Sequence, residues 1–214
     1  WIKKKWCIPR IDTEFVWRME DLLDLYAEAF DPRRPVVCFD ELPYQLVAET
    51  CLPLPLRPGK PIRYDYEYRR NGTCNLFMFF QPLAGWRHVE VTEQRTKRDF
   101  AYRMKDLVDT HFPEAEGIRV VLDNLNTHSP AALYEVFEPQ EARRIVRKLE
   151  FHYTPKHGSW LNMAEIEISV LDRQCLDRRL AEVPIVRSEA TAWKTFRNDQ
   201  RATVDWRFTT TKAR

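Results

Sequence analysis

With 214 residues, 44% apolar and 31% charged, the chain has the balance of a globular protein with one sizeable core, which excludes extended disorder. Its net charge of +2 is too small to argue for a nucleic-acid partner by itself, and the basic runs WIKKKW, EARRIVRKLE and LDRRL read as solvated faces. No apolar run approaches the roughly 18 residues of a membrane span, and WIKKKWCIPR lacks the apolar stretch of a signal peptide, so no membrane partner is expected.

Cys7, Cys38, Cys51, Cys74 and Cys175 are odd in number and never form a Cys-x-x-Cys pair. Neither a disulfide framework nor a zinc ribbon is suggested, and a reducing compartment is expected. A chain that opens on Trp1 rather than Met leads us to expect a missing upstream segment.

From Asp12, the apolar residues Phe15, Met19, Leu22, Tyr26 and Phe30 recur at helical steps until Asp31-Pro32 stops the pattern. RPVVCFDE then reads as a short buried strand ending in acid. RYDYEYRRNGTCNLFMFFQPL alternates on its first limb, and its Asn71-Gly72 pair predicts a hairpin turn back into an apolar limb. WRHVEVTEQ adds a further antiparallel strand. Thr96 and Asp99 have capping-box spacing before a helical face of Phe100, Met104, Leu107 and Val108. GIRVVLDN is another strand ending in acid. Ser129-Pro130 and Pro139 each start a short helix, LEFHYT is a brief strand, and residues from about 160 to 178 read as a helix. No fold is assigned from about residue 181.

Asp40 and Asp123 thus share a setting, a carboxylate at the C-terminal end of a buried apolar strand. Ligands gather at such ends when helices cover both faces of a sheet. Two acids held side by side repel unless a cation lies between them, and hard oxygen ligands suit Mg²⁺ or Mn²⁺. A pair of such ions can clamp the attacking and leaving oxygens of an in-line phosphoryl displacement. Glu165 is the candidate third acid. Asn162-x-x-Glu165 also has the spacing of a capping box, which explains both residues without metal. That reading leaves His152, His157 and Trp160 unexplained and ignores the matched positions of Asp40 and Asp123. Together, the three acids favour a site. His152, His157 and Cys175 match no familiar zinc spacing. Tyr64, Tyr66 and Tyr68 read as cross-strand packing rather than base-stacking groups.

The strings CFDE, VLDNLNTH and YTPKHGSWLNMAE resemble the acidic motifs of DDE transposases, in the insertion-sequence-630 branch of the Tc/mariner superfamily. The resemblance runs from KKWCIP to the end of the chain. It implies an α/β, RNase H-like fold: a mixed five-stranded sheet, three antiparallel strands followed by alternating helix and strand, flanked by helices. Residues 1–30 would be a linker helix after a missing N-terminal DNA-binding region, 31–180 the catalytic domain and 181–214 a basic C-terminal segment. The implied protein is bacterial and cytoplasmic. It cleaves DNA at transposon ends and joins the freed 3′-hydroxyl to TA-containing target DNA, as a homodimer using Mg²⁺, with Mn²⁺ as a substitute.

By this resemblance Asp40, Asp123 and Glu165 match the family's metal-binding acids, with Asp40 bridging the ions and the other two each completing one. Asn124 and His128 would position substrate or a ligand, while Lys156, His157, Trp160 and Asn162 would shape the approach to the third acid. Two features depart from the family. Glu165 follows Asp123 by 42 positions, a long spacer that EPQEARRIVRKL fills, and no helix-turn-helix module fits before residue 31. Glu41 and Glu167 are taken as an exposed strand end and a helix-surface acid. A two-residue step on a helix turns a side chain by about 200°, so only one of Glu165 and Glu167 can face the aspartates. The alternatives are a catalytically silent remnant that binds DNA or a sister subunit, and an RNase H-like nuclease without strand transfer.

Overall fold

The computed structural model describes residues 12–213. The run WIKKKW, Cys7 and the first part of the expected linker lie outside the described residues. Helix α1 (Thr13–Ala27) starts where Asp12 accepts the Phe15 N–H at 2.8 Å, and it buries Phe15, Met19 and Leu22 as the periodicity predicts. It stops one turn short of Phe30, which is exposed.

One five-stranded sheet organises the rest, in the order β3-β2-β1-β4-β5, with β1 at Val36–Glu49, β2 at Tyr68–Gln81, β3 at Trp86–Thr92, β4 at Ile118–Leu122 and β5 at Leu149–Tyr153. β1, β2 and β3 are antiparallel, whereas β4 runs parallel to both β1 and β5. Alternation along β1 sends Val36 and Cys38 into one core and Val37 and Phe39 into the other. The first core is closed by α1, α5 (Met163–Leu171) and α6 (Val183–Asp199). The second is closed by α2 (Lys97–Asp106) with the π-helical turn Leu107–His111, α3 (Pro130–Val136) and α4 (Pro139–Val146). The Thr96–Asp99 capping box forms, and Pro130 and Pro139 open their helices. A short helix α7 (Thr210–Ala213) comes last. Among the described residues, no helix is long and apolar enough to cross a membrane.

Several expectations are corrected. β1 does not end at Asp40 but continues to Glu49, because the apolar limb Cys74–Phe80 pairs with it and not with the segment before Asn71. Asn71-Gly72 is therefore not a turn. Gln45 pairs with Thr73 and Val47 with Arg70, so Asn71 and Gly72 both stand opposite Leu46, a β-bulge in which Gly72 takes φ 92°. The chain between β1 and β2 instead makes an excursion whose arms meet at Leu54 and Arg63. Tyr64 and Tyr66 stand on it and Tyr68 opens β2; all three are exposed, so cross-strand packing does not account for them. The predicted 160–178 helix is a 3-10 turn (Ser159–Leu161), α5 and a π-helical turn (Asp172–Leu176).

Past residue 181 the chain is ordered in a way its sequence did not announce. α6 packs on β3 and buries Val186, Ala190 and Trp193. An extended run then returns along α1, with Val204, Trp206 and Phe208 packed on the first core. Gly85 permits this crossing. It takes φ 66°, and a Cβ there would lie 2.5 Å from the Arg201 carbonyl carbon.

Candidate active site

β1 and β4 pair in parallel with Cys38 opposite Val121, so two residues further on Asp40 is level with Asp123, just past the end of β4. Cys38 and Val121, two positions before them and on the same faces of their strands, enter the core under α5, and α5 packs across β1 and β2. Glu165 lies in the first turn of α5. The fold thus brings the three sequence-predicted acids to one face at the carboxyl end of β4.

Their electrostatics confirm the proximity. The carboxyl of Asp40 is pushed from 3.8 up to about 7, mainly by burial, with further upward pressure from the charges of Asp123 and Glu165. The Glu41 N–H, which donates to Asp40 Oδ1 at 2.8 Å, and the His128 ring only partly offset this.

Asn162 ties two of these elements together. It is buried, its Oδ1 accepts the Ala164 N–H at 3.1 Å as the N-cap of α5, and its Nδ2 donates to Phe39 O at 2.8 Å and to Asp40 Oδ2 at 3.4 Å. The reciprocal arm of a capping box is replaced: the Asn162 N–H donates to Ser159 O at 2.7 Å, leaving Glu165 to face the aspartates. Three tight contacts fold the preceding loop onto the helix, from Gly158 N to Pro155 O, Leu161 N to Gly158 O and Asn162 N to Ser159 O. His157 takes φ 64° within it, and a Cβ at Gly158 would lie 2.5 Å from the Pro155 ring. This stretch is dense in chemistry because it cuts a loop to fit a helix start against β1.

On the other flank, His128 Nδ1 is 2.5 Å from Asp123 Oδ1 and its Nε2 is 2.9 Å from Glu41 Oε1. Burial opposes a charge on this ring, but the two carboxylates outweigh it and lift its pKa from 6.5 to about 9. Glu41 is therefore not an exposed strand end. Because β1 continues, its side chain is only 4% exposed, beneath the second core, with Arg95 Nη1 3.8 Å away.

Glu167 is likewise not a surface acid. It is 1% exposed, held by a two-pronged contact from Arg197 at 3.1 Å and 3.1 Å. Arg87 Nε also lies 2.8 Å from it, close though not aligned as a hydrogen bond. Glu165 and Glu167 hence face different partners, as the helical step requires.

The remaining predicted residues are not brought into contact with the acids. Asn124, Lys156 and His157 are exposed, and the half-exposed Trp160 packs edge-on against Phe208 at 5.5 Å. His152 pairs with Asp21 of α1 at 2.8 Å.

Among the described residues no three acidic, histidine or cysteine side chains form a ready cation cage. Asp123 is drawn onto His128, and mutual repulsion disfavours closing three carboxylates together. The donor set nevertheless fits a hard divalent cation: all oxygen, clustered, and carrying an excess of negative charge that raises the pKa of Asp40.

A mixed sheet in this order, helices on both faces and three acids at one strand end define an α/β domain of RNase H-like design. The DDE superfamily endonuclease model matches residues 35–185, and the chain belongs to that family. Among solved structures it is similar to the Mos1 mariner paired end complex with Mn, at 13% identity and a TM-score of 0.62 over 94% of this chain and 61% of that one. It is also similar to the Mos1 strand transfer complex, at 13% identity and a TM-score of 0.60 over 94% of this chain and 62% of that one. The chain therefore spans about three fifths of the length of the Mos1 chains, and at this identity the likeness establishes the fold. No curated protein matches the chain.

Proposed function

We propose that this chain is the catalytic domain of a transposase of the insertion-sequence-630 branch of the Tc/mariner superfamily. In this reading it cleaves DNA at transposon ends and joins the 3′-hydroxyl to target DNA. The observation that carries the reading is the meeting of Asp40, Asp123 and Glu165 from β1, the end of β4 and α5, with Asp40 responding to the charge of the other two.

These three acids would hold Mg²⁺, or Mn²⁺ in its place. The bound ions would supply an activated nucleophile and stabilise charge on the phosphoryl group in a two-ion displacement. The protein's own part is to hold the acids. Asn162 fixes Asp40 and the start of α5 in one bond set, while His128 fixes Asp123. Lys156, His157, Trp160 and Asn124 are exposed, and in this reading they would meet a DNA backbone. DNA ends as substrate are supported by the paired end and strand transfer complexes of the Mos1 chains. TA targets and a dimer on paired ends belong to the same proposal, as does a catalytic unit at 31–180 between a linker and a basic tail.

The test is Mn²⁺ binding by the intact chain, read as anomalous peaks in soaked crystals. Peaks among Asp40, Asp123 and Glu165, lost in Asp40→Asn, support the proposal. Ordered acids with no peak at millimolar Mn²⁺ favour a catalytically silent, DNA-binding remnant.

A further inference from the structure

Glu41 is a buried carboxylate that the proposed chemistry does not use. We infer that Glu41 and His128 form a positioning relay for Asp123, in which Glu41 fixes the imidazole and the imidazole fixes the metal-facing carboxylate. The inference rests on the three-acid reading above and adds to it two residues that would touch neither metal nor DNA.

The geometry is that of an orienting device. Each ring nitrogen of His128 faces one carboxylate, Nδ1 toward Asp123 at 2.5 Å and Nε2 toward Glu41 at 2.9 Å, so any ring rotation breaks both contacts. The ring is fully buried between Phe39, edge-on at 5.3 Å, and Phe100, stacked at 5.0 Å. Its backbone is held too. The Tyr153 hydroxyl donates to His128 O at 2.9 Å, and His128 N donates to Leu125 O at 2.9 Å. The relay therefore has no slack along its length, from the β1 backbone to a carboxylate that is 30% exposed at the site.

Energetics argue against mere packing. A buried carboxylate opposite Phe77, against a ring held between Phe39 and Phe100, carries a desolvation cost that an apolar residue of similar volume would avoid, so a stabilising role alone gives Glu41 no advantage. Orientation of a ligand does, because groups that hold metal ligands set how well the metal is bound.

The experiment is Mn²⁺ titration of the intact chain, with free Mn²⁺ followed by electron paramagnetic resonance and urea midpoints recorded on the same samples. Glu41→Gln is expected to weaken Mn²⁺ binding about 10- to 100-fold. His128→Asn should do the same, and the double variant should be no worse than either alone, because the two residues act in series. Phe100→Leu is the structural comparison: its midpoint falls while the affinity of the folded protein stays. If Glu41→Gln behaves like Phe100→Leu, or the two relay variants multiply, the relay is overturned while the three-acid site stands. If the parent and Asp40→Asn show the same Mn²⁺ binding, or none, the three-acid reading itself fails and the relay falls with it.

Discussion

Glu165 and Glu167 sit two positions apart on α5, and replacing each by glutamine should move stability in opposite directions. Glu167 is 1% exposed and neutralises Arg87, whose side chain is 0% exposed, together with Arg197, whose side chain is 18% exposed. Removing one partner of a buried pair costs about 3–5 kcal/mol, since a charge is left in a medium that cannot solvate it. The lower end applies here, because Arg87 also donates to Gly85 O at 3.1 Å and to Asn198 Oδ1 at 3.3 Å. In a domain of this size each 1 kcal/mol moves the melting midpoint by about 2–4 °C, so Glu167→Gln should lower it by about 6–12 °C. Glu165→Gln removes a like charge from beside Asp40 and breaks no ion pair among the described residues, so in metal-free buffer the midpoint should hold or rise by a few degrees. Thermal and urea unfolding at pH 7, both followed by tryptophan fluorescence, measure the midpoint shift and the free energy. The reasoning is refuted if Glu167→Gln stays within about 0.5 kcal/mol of the parent, a change typical of open surface, or if Glu165→Gln falls as far as Glu167→Gln.

The other predictions follow from single contacts. Asp40 has a folded pKa of about 7 against an ordinary 3.8, so the folded chain binds the extra proton between those values, and the stability this gives is lost as pH rises through about 7. His128, at about 9 against 6.5, adds stability that is full below about 6.5 and lost through about 9. Urea midpoints of metal-free protein should therefore fall from pH 5 to pH 9, with Asp40→Asn removing the lower limb; a rising midpoint would contradict both assignments. Asn162→Ala should cost about 2 kcal/mol, roughly 1 for the cap and roughly 1 for leaving Phe39 O without its donor. Asn162→Asp should recover the cap but set a carboxylate against Phe39 O and Asp40 Oδ2 where a donor stood, so its urea midpoint at pH 7 should stay below the parent's. Gly85→Ala forces a Cβ against the Arg201 backbone at φ 66°, and limited proteolysis should then cut the 202–208 run sooner.

Much of the fold is legible in the sequence because local rules agree with the tertiary ones. The α1 stripe, the Thr96–Asp99 box, the two proline-started helices and the short strands β4 and β5 are all set within a few residues of themselves. Asn71-Gly72 misleads because positive φ serves a bulge as well as a turn, and which of them forms depends on the partner strand. The edge of β1 beyond Asp40 wins that competition, as it offers pairing from Cys38 to Glu49. α6 escaped notice because its buried positions, Val186, Ala190 and Trp193, include one weak hydrophobe and are separated mostly by polar and charged residues.

The site shows the same division. Three acids could be read because each lies beside a distinctive short string; helical geometry lets only one of Glu165 and Glu167 face the aspartates, and the motif string LNMAE singles out Glu165. Glu41 could not be read, since its environment depends on a strand that continues past its acid. Had β1 stopped at Asp40, Glu41 would hang in solvent and His128 would face one carboxylate. With β1 continuing, strict alternation forces neighbouring acids to opposite faces: Asp40 toward α5 and the open site, Glu41 toward the aromatic core where His128 waits. One added stretch of pairing with β2 thus changes what reads as an exposed strand end at Glu41 into a buried carboxylate behind Asp40. For this reason a variant that shortens the β1–β2 pairing without touching either acid, such as Leu46→Pro opposite the bulge, should disturb Mn²⁺ binding through Glu41 before it disturbs Asp40.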